Sequence, residues 1–247
     1  RAFPHAGGVC ERRRRALEAG QMPARAELMS KLEPIEVNLR PAMWLWSLGY
    51  LPAYVLLPSI LPPLPPPPPG GGRVPGPRRV LVDAGTWVFE SSPELLMDTY
   101  DGLGYPFDLV VLAEPGGLIL PRDRLSRRPG APPQIEVMPL GVEVGTGDPS
   151  KDMVAWLGSA VREEDFVVVK FDCDPFSGDP YEGETLEWGF LADLVHTGAV
   201  DLIDELFIEM HFVWDELRWP FRTHSMRQAY EVLQSLRDCG VVVHSWH

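Results

Sequence analysis

RRVLVDAG, residues 78–85, is a short apolar run closed by Asp83 and Gly85. A strand buried on both faces of a parallel sheet reads this way, because every position must be apolar until the chain leaves the sheet. Runs of the same kind recur. FDLVVLAEP (Phe107–Pro115) ends in Glu114, and IEVMPLGVEVG covers Ile135–Gly145. DFVVVKFD covers Asp165–Asp172, LIDELFIEMHF covers Leu202–Phe212, and VVVHSW covers Val241–Trp246. Helical patterns separate them. Ser92–Tyr100 reads as a helix, and Ser150–Val161 is apolar at Met153, Trp156, Leu157, Ala160 and Val161, one face at helical spacing. Thr185–Thr197 precedes Gly198, which suits a left-handed C-terminal cap. Ser225 and Gln228 make a capping box, followed by the stripe Met226, Ala229, Tyr230, Leu233 and Leu236, with Gly240 ending the helix. Gly116–Pro133 is polar, Pro-rich and basic, and reads as loop. Strands are therefore expected near 79–84, 108–114, 135–140, 166–171, 202–211 and 241–246. Strands alternating with helices imply an α/β fold, a doubly wound and mostly parallel sheet.

Upstream the character changes. Residues 62–72, PPLPPPPPGGG, favour extended polyproline II followed by a flexible joint. The expected organisation is an N-terminal extension over 1–61, a Pro/Gly-rich linker over 62–77 and one α/β domain over 78–247. Residues 43–61, MWLWSLGYLPAYVLLPSIL, would nearly span a bilayer, but Pro52 and Pro58 interrupt any helix there. The reading favoured is a surface segment carrying Trp44 and Trp46 onto the domain or a partner, with membrane contact as the alternative. The chain starts at Arg1, as a fragment or processed product would, and the compartment stays open, organellar or Golgi membrane association included.

The net charge of −13 is unevenly spread. Residues 1–40 carry +3, including the run Arg12 to Arg15, so the rest carries −16. An acidic domain repels phosphate backbones, which disfavours a nucleic-acid partner. Cys10, Cys173 and Cys239 are scattered and odd in number, which argues against a disulfide framework and against a zinc site.

Open parallel sheets bind ligands beyond the carboxyl ends of their strands. The residues at those ends are Asp83, Gly85 and Thr86, then Glu114, then Asp172 and Asp174, then Glu209 and His211. The loop DAGTWVFESS (Asp83–Ser92) lacks G-x-G-x-x-G, so a dinucleotide pyrophosphate has no cradle and an NAD-dependent enzyme is disfavoured. Glu114 can accept two hydroxyl protons at once. The plainer reading of Asp83 and Glu114 is that they order loops.

RRVLVDAG, FDLVVLAEP, DFVVVKFD, LIDELFIEMHF and SLRDCGVVVHSWH together resemble FkbM-type methyltransferases, in a branch found in plants and green algae. Patterns of the form K-x-D-x-E-G-x-E, I-D-E-x-F-x-E-x-H and G-V-x-V-H-x-W are matched at Lys170, Asp172, Ile203, Asp204, Glu205, Phe207, Glu209, His211, Gly240, Val241, Val243, His244 and Trp246. The resemblance covers about residues 78–247. It implies a Rossmann-like class I methyltransferase fold, S-adenosylmethionine as cofactor, and O-methylation of a hydroxyl on a small-molecule or glycan acceptor.

On that resemblance Asp83, Gly85, Thr86 and Glu114 would hold the cofactor, and Asp172 would face the transferred methyl. A hydroxyl must lose its proton as it attacks, so His211 is the preferred general base, with Glu209 orienting it. Asp172, Glu209 and His211 could alternatively bind a hard divalent cation. Lys170 is expected to pair with a carboxylate, and His244 and His247 to be structural. Two departures from the pattern stand out. CDPFSGDPYEGETLE follows Asp172 and displaces the E-G-x-E element, leaving Glu187 as its remnant, and the chain is short between Gly145 and Ser150. They support a second reading, a catalytically silent methyltransferase-like domain serving as an interaction subunit.

Overall fold

The computed structural model describes residues 76–86, 88–114, 118, 120–125, 133–138, 143–173, 186–210 and 224–246, with residues 32, 56 and 58. The extension over 1–61 and the linker therefore lie almost wholly outside the described residues, as do Trp44, Trp46, Asp174, His211 and His247. Among the described residues, no helix is long and apolar enough to cross a membrane.

Among the described residues, six strands alternate with five α-helices. They are β1 (Arg79–Ala84), α1 (Ser92–Gly102), β2 (Leu109–Ala113), α2 (Arg122–Leu125), β3 (Gln134–Met138), α3 (Met153–Ala160), β4 (Phe166–Phe171), α4 (Leu186–Thr197), β5 (Glu205–Ile208), α5 (Met226–Asp238) and β6 (Val242–Ser245). All pairings are parallel, and the order is β3-β2-β1-β4-β5-β6. This is the Rossmann-like order. The chain winds outward from β1 to β3, then returns to lay β4 against β1, so the winding reverses between those two strands.

The apolar runs predicted from sequence are the strands. β1 and β4 have the expected limits, and both are buried on both faces after their first residue. β3 alternates, with Gln134 and Glu136 exposed, because it is an edge. β5 is shorter than the apolar run suggested. Ala199–Leu202 forms a 3-10 turn entered through Gly198 at φ 79°, and Asp204 uses its carboxylate to accept the Val167 N–H at 2.7 Å. The Gly116–Pro133 loop contains the short helix α2.

Helices cover both faces. On one, Val154 and Leu157 of α3, Leu191 and Leu194 of α4, and Leu233 and Leu236 of α5 pack on Val80, Val82, Val169 and Leu206. On the other, Leu96, Met97 and Tyr100 of α1 pack on Leu81, Val110, Val168 and Phe207, and Leu56 joins them. Two caps fix helix starts. The predicted Ser225–Gln228 capping box is formed. Asp152, 1% exposed, caps α3 through Val154 and Ala155 and also accepts from the Thr146 and Gly147 amides. Cys173 is a buried free thiol, whereas Cys239 is disulfide-bonded, against the reading that the scattered cysteines speak against a disulfide framework.

The amino edge of the sheet is closed by ion pairs. Arg79 meets Asp108 at 2.7 Å, and Asp165 takes Arg78 at 2.5 Å and Arg162 at 3.0 Å. Burial acts to raise the Asp165 pKa, but the hydrogen bonds from Arg78 and Arg162 outweigh it and hold the carboxyl at about 2. The folded value lies below the unfolded one. The stabilisation is therefore present above the ordinary carboxylate range and is lost as pH falls from about 4 through 2. Asp165→Asn should cost up to about 2 kcal/mol near neutral pH, and the gap from wild type should shrink steadily below pH 4. Denaturant titrations of both proteins at several acidic pH values check this, and a gap independent of pH contradicts it.

Candidate functional site

The sheet register assembles the site. The last paired row reads Ala113, Ala84, Phe171, Ile208 and Ser245 across β2, β1, β4, β5 and β6. The next residue on each strand continues the ladder. Gly85 N–H donates to Ala113, Asp172 N–H to Ala84, Glu209 N–H to Phe171 and Trp246 N–H to Ile208. Glu114, Gly85, Asp172, Glu209 and Trp246 therefore stand in one row along the carboxyl edge. Two residues earlier, on the α1 face, the row is Leu112, Asp83, Lys170, Phe207 and His244. The expected site residues Asp83, Gly85, Asp172, Glu114 and Glu209 thus fall on two adjacent same-face rows at the strand-order reversal, where an open sheet leaves a crevice.

Lys170 ties these rows together. Its ammonium lies 3.0 Å from Asp172 and 3.4 Å from Asp83, and it also donates to the carbonyls of Ala84 and Gly85 at 3.3 Å each. Burial works to depress its pKa, but Asp83 and Asp172 outweigh that and the net direction is upward, so Lys170 stays charged. The Trp246 ring centroid is 5.9 Å from the same ammonium, within cation–π range. Trp246 is half-buried and meets Phe207 edge-on at 5.8 Å.

The turn after β1 is packed tightly. Asp83 and Thr86 are both 0% exposed, and the Thr86 hydroxyl donates to Asp83 Oδ1. Among the described residues, Asp83 Oδ2 has no hydrogen-bond partner. Gly85 has φ 81°, and a Cβ built there would lie 1.5 Å from the Asp172 carbonyl oxygen. The glycine is thus required by the closeness of the β1 and β4 ends. Cys173, next to Asp172, has its thiol pushed up to about 12 by burial, with Asp172, Asp83 and Glu187 adding to the effect against Lys170. It is protonated at neutral pH and is not a nucleophile.

A second polar group lies deeper on the same face. Glu205, Tyr100 and His244 are all 0% exposed. The Tyr100 hydroxyl donates to Glu205 Oε2, and His244 Nε2 lies 2.8 Å from Glu205 Oε1. Burial, then Glu205, raise the Tyr100 pKa well above its ordinary value. Phe207 stacks on His244 at 4.7 Å. Burial in this network fits the structural role expected of His244. The network itself was not anticipated. Its signal was available, since residues two or four apart along a strand share a face, as Lys170 and Asp172, Glu205 and Glu209, and His244 and Trp246 do. His224, which stacks on Trp188 with centroids 3.9 Å apart beside the start of α5, was also missed.

The arrangement offers hydrogen-bond acceptors from β1, β2, β4 and β5, one buried ammonium and an aromatic wall. Among the described residues no group of three His, Cys, Asp or Glu could hold a metal ion. The metal set proposed from sequence includes His211, outside the described residues. Grooves among the described residues also lie elsewhere. One of about 610 Å³ sits over α3, α4 and the 3-10 turn, lined by Asp152, Asp193 and Asp201. One of about 700 Å³ lies at the amino edge, where Arg78, Arg79 and Arg162 are engaged with Asp108 and Asp165.

Residues 134–247 match the model of a family described as a domain of unknown function, DUF7870. The match takes in Lys170, Asp172, Glu209 and Trp246 and leaves out Asp83, Gly85 and Glu114. No curated protein and no solved structure matches the chain.

Proposed function

We propose that this chain is an S-adenosylmethionine-dependent methyltransferase acting on a hydroxyl of a small-molecule or glycan acceptor, as the resemblance to the FkbM type implies. One observation carries the reading: Glu114, Gly85, Asp172 and Glu209 stand in one row at the strand-order reversal, with Asp83 directly behind. The residues fit the cofactor. Glu114 is half-buried beside Gly85 and suits the two ribose hydroxyls. Asp83, 0% exposed, would act on the amino-acid end from behind Gly85, and the partly exposed Asp172 would face the transferred methyl. A loop without the dinucleotide glycines suits a cofactor without pyrophosphate.

When bound, the cofactor supplies an electrophilic methyl group. The tasks left to the chain are to orient the acceptor hydroxyl and to take its proton. Glu209, beside Asp172 just past the ends of β5 and β4, would orient that hydroxyl. His211, two residues beyond Glu209, remains the proposed base.

Calorimetry with S-adenosylhomocysteine tests the reading. Glu114→Gln keeps the size and loses the charge, and a charged hydrogen bond contributes about 1.5–3 kcal/mol. The variant should bind roughly ten- to a hundredfold more weakly than wild type. Equal affinities would remove Glu114 from the site.

The second reading, a catalytically silent domain in a complex, is favoured by one specific observation. Asp83 and Thr86 are fully buried and bonded to each other, and the bare side of Gly85 is filled by Asp172. On that reading the tie through Lys170 serves the fold alone, and wild type should bind neither S-adenosylmethionine nor its product.

A further inference from the structure

The α1 face of the sheet is buried more widely than α1 can account for. Row by row, its residues on β4, β5 and β6 are Val168, Glu205 and Val242, then Lys170, Phe207 and His244. Each of them is at most 1% exposed. A helix is about 10 Å wide with its side chains, and strands lie about 4.8 Å apart, so one helix shelters two or three strands. α1 packs on Leu81, Val110 and Val168, which belong to β1, β2 and β4. Tyr100 reaches Glu205, and Trp246 meets Phe207. The helices α3, α4 and α5 pack on the opposite face, and α2 belongs to the β2–β3 crossover. Val242 and His244 lie on β6, two strands beyond β4, and are 0% exposed. Their burial calls for a further layer on the α1 side.

Leu56 points to what supplies that layer. It is 6% exposed and belongs to the same apolar cluster as Leu81, Leu96, Val168 and Phe207, although the whole Pro/Gly-rich linker separates it from β1. Leu32 and Pro58, the other described residues upstream of the linker, are buried too. Leu56 comes from the stretch 43–61, which is apolar and carries no charged residue. An extended chain covers about 3.3 Å per residue, so the linker over 62–77 can run the full width of a six-stranded sheet. We propose that residues 43–61 are a built-in layer of this domain, packed through Leu56 on the α1 face as the cover that β5 and β6 require. The segment is then neither a membrane anchor nor a surface kept for a partner. The cover also bears on the site. Lys170 lies on the covered face, and keeping water from its ammonium preserves the tie to Asp83 and Asp172. This inference does not depend on the cofactor reading.

Two variants of the full chain test it. Leu56→Ala should raise the unfolding equilibrium constant at least about thirtyfold, as the loss of a buried leucine side chain does. In Leu56→Cys the introduced thiol should react with a maleimide at least about a hundredfold more slowly than in the urea-denatured chain, because only opening of the domain would expose it. Peptide mass spectrometry reads that site separately from the native cysteines, and the rate should be the same at low and high protein concentration. Wild-type stability of Leu56→Ala, or labelling of Leu56→Cys at the denatured rate, overturns the inference. Protection that appears only with vesicles of phosphatidylcholine and phosphatidylglycerol gives the segment to a membrane, and protection that grows with protein concentration gives it to a second copy. Either result overturns the inference as well. If Leu56→Ala does not fold, the labelling decides alone.

Discussion

Lys170→Met should unfold at markedly lower denaturant concentration than wild type, with a loss of about 3–5 kcal/mol. The side chain is nearly isosteric, so the effect isolates the charge. Without the ammonium, Asp83 becomes a carboxylate at 0% exposure that has lost the cation 3.4 Å away, and Asp172 loses a bond of 3.0 Å. Breaking a buried pair from one side is costly because the other charge has no solvent to retreat to. The double variant Asp83→Asn with Lys170→Met should recover at least about 1 kcal/mol of the loss, since residues in direct contact are not additive. Urea titrations of the four proteins in the cycle measure this. Strict additivity would show that Asp83 and Lys170 do not stabilise each other.

Gly85→Ala should be comparably damaging, for a reason unrelated to charge. Two costs combine. The backbone at φ 81° is unfavourable for any residue with a Cβ, at about 1–2 kcal/mol. The new methyl would also sit 1.5 Å from a backbone oxygen of Asp172. Relief requires moving the strand end held by Asp172 N–H on Ala84 and Gly85 N–H on Ala113. Gly104 is an internal control, with φ 80° and nothing within 4 Å of the place a Cβ would take. Gly104→Ala should cost only the backbone term, and Gly85→Ala at least about 2 kcal/mol more. Thermal melts of the two variants compare them directly, and equal losses would mean that the β1–β4 contact yields easily.

Much of the fold was legible because the strands are buried on both faces. Val80–Ala84 and Val167–Phe171 leave no position for a polar residue except where a partner waits, so their limits follow from the apolar runs. Ser225 and Gln228 likewise announce the start of α5 through a local bond that needs no tertiary context. β5 was overestimated because Leu202 and Ile203 are apolar for another purpose, packing the 3-10 turn under the sheet. Strand order lay beyond reach, since hydrophobic runs say that β1 and β4 are strands and nothing about their being neighbours.

The site was legible in part for the same reason. Carboxylates at strand ends could be collected from the sequence as Asp83, Glu114, Asp172 and Glu209. Their sharing of two rows depends on register, which is a property of pairs of strands. The tie made by Lys170 and the bond from Tyr100 to Glu205, 105 residues away, depend on it too. The tightness of the turn at Gly85 was invisible, because the atom that demands it belongs to Asp172.

The order in which the strands lie also bears on how the chain can be divided. β3 pairs with β2 and with no other described strand, while β4 pairs with β1 and β5. Stretches that are continuous along the chain are therefore not continuous in the sheet. A cut just before β3 would leave that strand without its described partner β2 and strip one side of β4, exposing the amide and carbonyl groups between Val167 and Phe171 that β1 now satisfies. A piece that keeps all six described strands must include β1 from Arg79, whereas one that begins at β3 keeps only four of them.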